Sequence, residues 1–135
     1  MKANILFAFA GLTAATLLAG CASDSPPTGE PAPTKTVNSA AGMVLTDQNG
    51  MTLYTYDEDD TNTSNCTGLC AVAWPPTFAA DGAAPSGHLT VITRPNGTKQ
   101  WAQDGKPLYT YYQDKKSGDI TGDHVDGTWH LVRPE

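Results

Sequence analysis

The chain has 135 residues, 14 acidic side chains against 8 basic ones, a formal net charge of −6 and a mean hydropathy of −0.33. That balance argues against binding nucleic acid or anionic lipid through a basic face. It leaves room for one small domain with a modest core once the N-terminal segments are set aside.

Met1-Lys2 is a short positive start and Ile5 to Leu18 an uncharged apolar run, the layout of a secretory signal and too short for a comfortable membrane span. It closes on Leu18-Ala19-Gly20-Cys21, which resembles the lipobox of bacterial lipoproteins. That resemblance implies cleavage before Cys21 and diacylglycerol on its sulfur, with each buried methylene contributing roughly 0.8 kcal/mol to membrane anchoring. Residues 1–20 hold Lys2 and no acid, so their removal takes the net charge from −6 to −7. Residues 21–41 follow as a Pro/Ser/Thr-rich tether with Pro26, Pro27, Pro31 and Pro33 and little to bury. The globular part is expected over 42–135.

Within it, Asn49-Gly50 and Asp104-Gly105 each sit between strand-like runs, and both dipeptides suit a two-residue type I′ hairpin turn. The expected register sets Gln48 opposite Met51, Thr46 opposite Leu53 and Leu45 opposite Tyr54. In the second hairpin Gln103 faces Lys106, Trp101 faces Leu108 and Gln100 faces Tyr109. Alternation then puts Tyr54 with Tyr56, and Tyr109 with Tyr111, on one face, with Leu53 and Leu108 on the other. Large side chains on both faces point to a sheet covered on both sides or to packed hairpins. Pro107 falls at a non-hydrogen-bonded position opposite Ala102, so that edge should be unpaired there. Further strands are expected at 88–94 and 128–133, and a short helical turn within 66–74, ended by Pro75-Pro76.

The two hairpins are copies. Gly50-Met51-Thr52-Leu53-Tyr54-Thr55-Tyr56 and Gly105-Lys106-Pro107-Leu108-Tyr109-Thr110-Tyr111 match at an offset of 55, which also pairs Gly42 with Gly97, Gln48 with Gln103, Asp59 with Asp114 and Trp74 with Trp129. Residues 42–96 and 97–135 therefore read as two units, the second truncated, sharing one core. The fold class is all-β or mostly β: two related antiparallel hairpin units packed into one small domain with long loops.

Tyr54-Thr55-Tyr56-Asp57-Glu58-Asp59 and Tyr109-Thr110-Tyr111-Tyr112-Gln113-Asp114 both fit Y-x-(F/W/Y)-x-x-D. With Cys66-Thr67-Gly68-Leu69-Cys70 leading to Trp74, and Gly118 to Asp123 leading to Trp129, the pattern resembles bacterial lipoproteins described as secreted repeats of unknown function. The resemblance implies export, lipidation and a repeated β unit, and carries no catalytic residue with it.

With Cys21 lipidated, Cys66 and Cys70 are an even pair in an exported chain, which most often means a disulfide. The alternative is a redox or soft-metal pair joined by one of His88, His124 and His130. No histidine follows Cys70, so a haem-attachment motif is absent. Asp57 and Asp59, and Asp119 and Asp123, are candidate calcium ligands, but an EF-hand counted from Asp57 fails, with Asn62 and Gly68 where glycine and glutamate belong. Acid runs after strands are more often solvated loops. Ser64, Ser86 and Ser117 lack a nucleophile-elbow context, and no H-E-x-x-H or phosphate-binding loop occurs. The expectation is a non-enzymatic, cofactor-free, lipid-anchored envelope module that binds a protein or small molecule or serves a structural role. A metal-handling or electron-transfer accessory protein is the alternative.

Overall fold

The computed structural model describes residues 33–135; the signal segment, Cys21 and most of the expected tether lie outside that range. The order of elements is β1 (Thr34–Ser39), β2 (Gly42–Asp47), β3 (Tyr54–Tyr56), a helical turn α1 (Leu69–Ala73), β4 (Leu89–Thr93), β5 (Lys99–Gln103), β6 (Lys106–Pro107), a 3-10 turn (Val125–Gly127) and β7 (Trp129–Leu131). The protein is mostly β, built of antiparallel sheets of two or three strands, with α1 as its single short α-helix among the described residues. No helix there is long and apolar enough to cross a membrane.

The first correction is at the N-terminal edge. Thr34–Ser39, placed in the tether by composition, is β1 and pairs along its whole length with β2, from Thr34 opposite Asp47 to Ser39 opposite Gly42. Thr34, Thr36 and Val37 are β-branched and favour extended backbone. The segment is largely exposed and borrows its order from β2, which explains why it shows no apolar alternation.

β4 stands to β5 as β1 stands to β2, so the second copy begins before 97 and is complete. The repeat also carries a compensated one-residue shift that an ungapped offset hides. In the second hairpin Gln103 faces Lys106, Ala102 faces Pro107, and Leu108 N–H donates to the Trp101 carbonyl at 3.0 Å, as expected. In the first, Thr46 faces Thr52 and Leu53 N–H donates to the Leu45 carbonyl at 2.9 Å, one residue away from the expected pairing.

The reason lies in the turns. Asp104 (φ 49°) and Gly105 (φ 82°) form the two-residue turn with both central residues at positive φ. Around Gly50 (φ 82°) the loop has three residues: Gly50 N–H returns to the Asp47 carbonyl at 3.1 Å, and Asp47 Oδ1 accepts from Asn49 N–H and Met51 N–H. The carboxylate of Asp47 caps the wider loop; its structural counterpart is Gln103, which makes no such cap.

The copies are joined by exchange. Tyr54 and Tyr109 pair through backbone bonds of 2.8 and 3.0 Å in both directions. β3 of the first copy pairs with β7 of the second, Tyr54 opposite Leu131, while Tyr109 bridges Pro76 of the first. Each three-strand junction closes on itself. Leu53 N–H reaches the Leu45 carbonyl, Leu45 N–H that of Val132, and Val132 N–H that of Leu53; Leu108, Trp101 and Thr77 form the same ring in the other half. Equivalent residues thus meet across an approximate two-fold axis.

Both faces of the central strands are buried, as the alternation predicts. Leu45, Leu53, Trp101, Leu108 and Val132 fill one core. Tyr54, Cys66, Trp74, Tyr109, Tyr111 and Trp129 fill the other.

Candidate functional site

The aromatic core is where the repeated motif converges. Trp74 and Trp129, equivalent positions, stack on the two-fold axis with centroids 3.7 Å apart and planes 3° from parallel. Tyr56 stacks outside Trp129 at 4.3 Å and Tyr111 outside Trp74 at 4.1 Å, giving a column of four rings. The third position of the motif is aromatic because it closes this column. Tyr54 and Tyr109 meet it edge-on, at 5.4 Å from Trp74 and 5.2 Å from Trp129.

The first and last motif positions form a crossed pair. Tyr54 Oη donates to Asp114 Oδ2 at 2.6 Å and Tyr109 Oη donates to Asp59 Oδ2 at 2.7 Å, each tyrosine using the other copy's aspartate. Burial, with the carboxylate beside each, pushes both phenols well above their ordinary range, so they stay protonated donors. Gly122 N–H donates to Tyr54 Oη at 3.2 Å, and a Cβ there would sit 2.8 Å from the Trp74 ring, which makes glycine a packing requirement.

The halves differ around the second tyrosine. Tyr109 Oη also lies 2.7 Å from Ser64 Oγ, and since it donates to Asp59 its oxygen is free to accept from Ser64. Ser64 in turn accepts from Arg94, a side chain only 5% exposed, which also bonds Gln100 Oε1 at 2.8 Å and the Cys66 carbonyl at 2.7 Å. Burial raises the Asp59 pKa, while the Asn65 N–H, the Tyr109 hydroxyl and the Arg94 charge act against that rise. Ser64, Arg94 and Gln100 carry no sequence signal of this role: Ser64 is a lone polar residue in a loop, Arg94 follows β4 and Gln100 lies within β5.

Cys66 and Cys70 are bonded to each other, with Cα atoms 5.2 Å apart and Cys66 fully buried against the aromatic core. The soft-metal alternative needs both thiolates, and these sulfurs are occupied. The histidines meet carboxylates at the surface instead: His88 bonds Asp104 at 2.9 Å and Glu135 at 2.8 Å, His130 bonds Asp57 at 2.7 Å, and His124 lies 3.5 Å from Asp123.

The four candidate calcium ligands are not gathered. Asp57 is taken by His130, Asp59 by Tyr109 and Asn65 N–H, and Asp119 Oδ2 by the backbone N–H groups of Lys115 and Lys116, which hold its pKa below the usual carboxylate range. Among the described residues one group brings three metal-capable side chains together, exposed His88, Asp104 and Glu135, and both of its imidazole nitrogens already face carboxylates.

Surface cavities flank the domain, two of them near the repeat motif and α1. One of about 170 Å³ lies between the Tyr56–Thr61 loop and Lys106-Pro107, the other of about 440 Å³ between the start of α1 and the Arg94–Asn96 turn. Neither is lined by Tyr54 or Tyr109, whose hydroxyls face inward to the aspartates, while Tyr56 and Asp59 border the first. The motif Y-x-(F/W/Y)-x-x-D is here a device for locking two copies together.

No curated protein and no solved structure matches the chain. A family model described as a secreted repeat of unknown function, Lipoprotein_15, matches twice, over residues 35–78 and 90–133, two segments of equal length whose starts agree with β1 and β4. With more than half its length matched, the chain belongs to this family of secreted repeats, of which it carries two complete copies.

Proposed function

We propose that this protein is an exported lipoprotein held in the cell envelope by Cys21, whose two-repeat domain serves as a non-enzymatic binding or structural module. The observation that carries this reading is that the motif's chemically active groups are spent on each other. Both tyrosine hydroxyls, both aspartates and the buried Arg94 form internal bonds that join the copies or brace the loops. What the domain offers to a partner is therefore its surface. The lipobox-like Leu18-Ala19-Gly20-Cys21 and the family's secreted character support delivery to the envelope.

Replacing Cys21 with serine in the full-length gene tests the anchor. The wild type is expected in the membrane fraction with a lipid-modified N-terminus, and Cys21→Ser in the soluble exported fraction or as unprocessed precursor. Processed Cys21→Ser protein that stays membrane-bound would refute the reading.

A further inference from the structure

The repeat supplies an internal control for its own surface. Four large apolar side chains beyond β2 are exposed, and each has a polar residue or a glycine at the equivalent position of the other copy. Leu69 (87% exposed) corresponds to His124, Val72 (70%) to Gly127, Phe78 to Arg133 and Tyr112 to Asp57. The fold therefore does not need apolar side chains at these places.

Three of the four lie on α1 or on the segment bonded to its end. Leu69 and Val72, three apart, share a face of α1, which buries none of its residues. Tyr112 is joined to the end of the same turn, its N–H donating to the Ala73 carbonyl at 3.0 Å. Lys115 Nζ bonds the Tyr112 carbonyl at 2.6 Å, and Lys116 follows it. Across the two-fold the matching contact is Asp57 N–H to the Thr128 carbonyl at 2.9 Å, and there the loop reads Asp57-Glu58-Asp59-Asp60, beside exposed His124 and Asp126. One face is aliphatic, aromatic and lysine-edged; its counterpart is acidic.

We propose that the α1 face, Leu69, Val72 and Tyr112 with Lys115 at its edge, docks on the surface of the lipid bilayer. Aliphatic side chains beside an aromatic ring and a lysine suit the boundary between acyl chains and headgroups, where tyrosine and lysine place their polar ends in the wet layer. The length of chain before the domain makes a bilayer the occupant. Only residues 22–33 separate Cys21 from Thr34, at most about 40 Å at ~3.1 Å per residue, so an anchored domain stays within reach of the surface. Such confinement lets a weak interfacial contact persist, because the second attachment is intramolecular. The acidic counterpart face is repelled by anionic headgroups, so the same charges that oppose adsorption of the whole domain favour this orientation. The proposal rests on the Cys21 anchor, and the two can be tested apart.

Full-length lipidated protein is reconstituted into phosphatidylethanolamine/phosphatidylglycerol vesicles with brominated acyl chains, carrying Tyr112→Trp or, at the equivalent position, Asp57→Trp. The three native tryptophans are buried, so the added ring is the exposed reporter. Emission from position 112 is expected to be quenched several-fold more than from position 57. Adding Leu69→Ser with Val72→Ser should abolish that difference while the protein still floats with the vesicles. Flotation with equal quenching at both positions overturns docking and leaves the anchor standing. Unlipidated Cys21→Ser protein that floats and keeps the quenching difference supports docking as a contact that holds without the anchor. Self-association in vesicle-free buffer that disappears with the double serine variant would assign the face to a second copy and overturn the bilayer.

Discussion

The two copies agree at the buried motif positions that meet across the two-fold and differ most where they are wet. Tyr54 and Tyr109, Trp74 and Trp129, Asp59 and Asp114, and Leu53 and Leu108 occupy equivalent sites with equivalent partners. Within the same five-residue stretch, Asp57-Glu58-Asp59-Asp60-Thr61 corresponds to Tyr112-Gln113-Asp114-Lys115-Lys116, and only the aspartate bonded to the other copy's tyrosine is held in common. Packing across a two-fold constrains both members of a pair at once, because each aromatic ring fills space against its own equivalent. Solvated loops carry no such constraint, so one stretch became acidic and the other lysine-rich without cost to the core.

The largest effects should fall on the shared column. Trp74→Ala and Trp129→Ala each remove a ring stacked on both faces, and each is expected to cost about 3–5 kcal/mol, equal within the error of chemical denaturation. A clear inequality between them would show that the two-fold is one of shape without energetic equivalence.

The crossed hydroxyl pairs come next. Tyr54→Phe strands Asp114 Oδ2 and the Gly122 N–H, while Tyr109→Phe strands Asp59 and Ser64, so each should cost about 2–3 kcal/mol in the same assay. Tyr109→Phe should cost more, since it also breaks the path between buried Arg94 and Asp59. Equal losses would mean that Arg94 is satisfied by Gln100 and Cys66 alone.

Much of this was legible in the sequence, and the places where it was not have physical causes. The tyrosine and leucine faces, the Asp104-Gly105 turn, the Cys66–Cys70 bond and the strand around Trp129 follow from period, turn chemistry and cysteine parity. The first hairpin's register does not, because Asn49-Gly50 suits both a two-residue and a three-residue turn, and the choice is made by hydrogen bonds from Asp47. Nor does the exchange of end segments. In a two-fold pair the partner in the same copy and the partner in the other are chemically alike, so pattern alone cannot say that Trp129 lies beside β3. Calcium was suggested by the spacing of Asp57 and Asp59, yet these alternate between a surface histidine and a buried tyrosine. Repeat comparison held a better signal: an aspartate kept in both copies is structural, and one kept in a single copy is surface.

The disulfide is found in one copy only. Cys66 and Cys70 correspond to Thr121 and Val125, and Thr121 is held instead by two bonds to Asp114 Oδ1, at 2.9 Å from its N–H and 2.5 Å from its hydroxyl. Reducing the bond, or replacing both cysteines by serine, should cost about 2 kcal/mol for so short a loop. Hydrogen exchange should then rise around α1 and leave the 3-10 turn at Val125–Gly127 protected as before. Spread of the exchange to that turn would show that the copies unfold as one unit.

The smallest effect concerns the link from the second hairpin to the chain end, which the first copy lacks. His88 bridges Asp104 of the turn and Glu135. The hydrogen bond and charge of Asp104, with Glu135 adding to them, raise the imidazole pKa above 6.5, and His88 lowers that of Asp104 below 3.8. A base whose folded pKa is raised stabilises the fold fully below its unfolded pKa, and that contribution is lost as pH rises through the folded value. Stability should therefore decline slightly across the range just above pH 6.5. All three side chains are exposed, so screening keeps the effect small and salt should weaken it. His88→Gln should flatten the slope without altering the core. His130→Gln, at the surface pair with Asp57, is the matched control from the other half, and a larger loss of slope there would move the pH dependence to the acidic face.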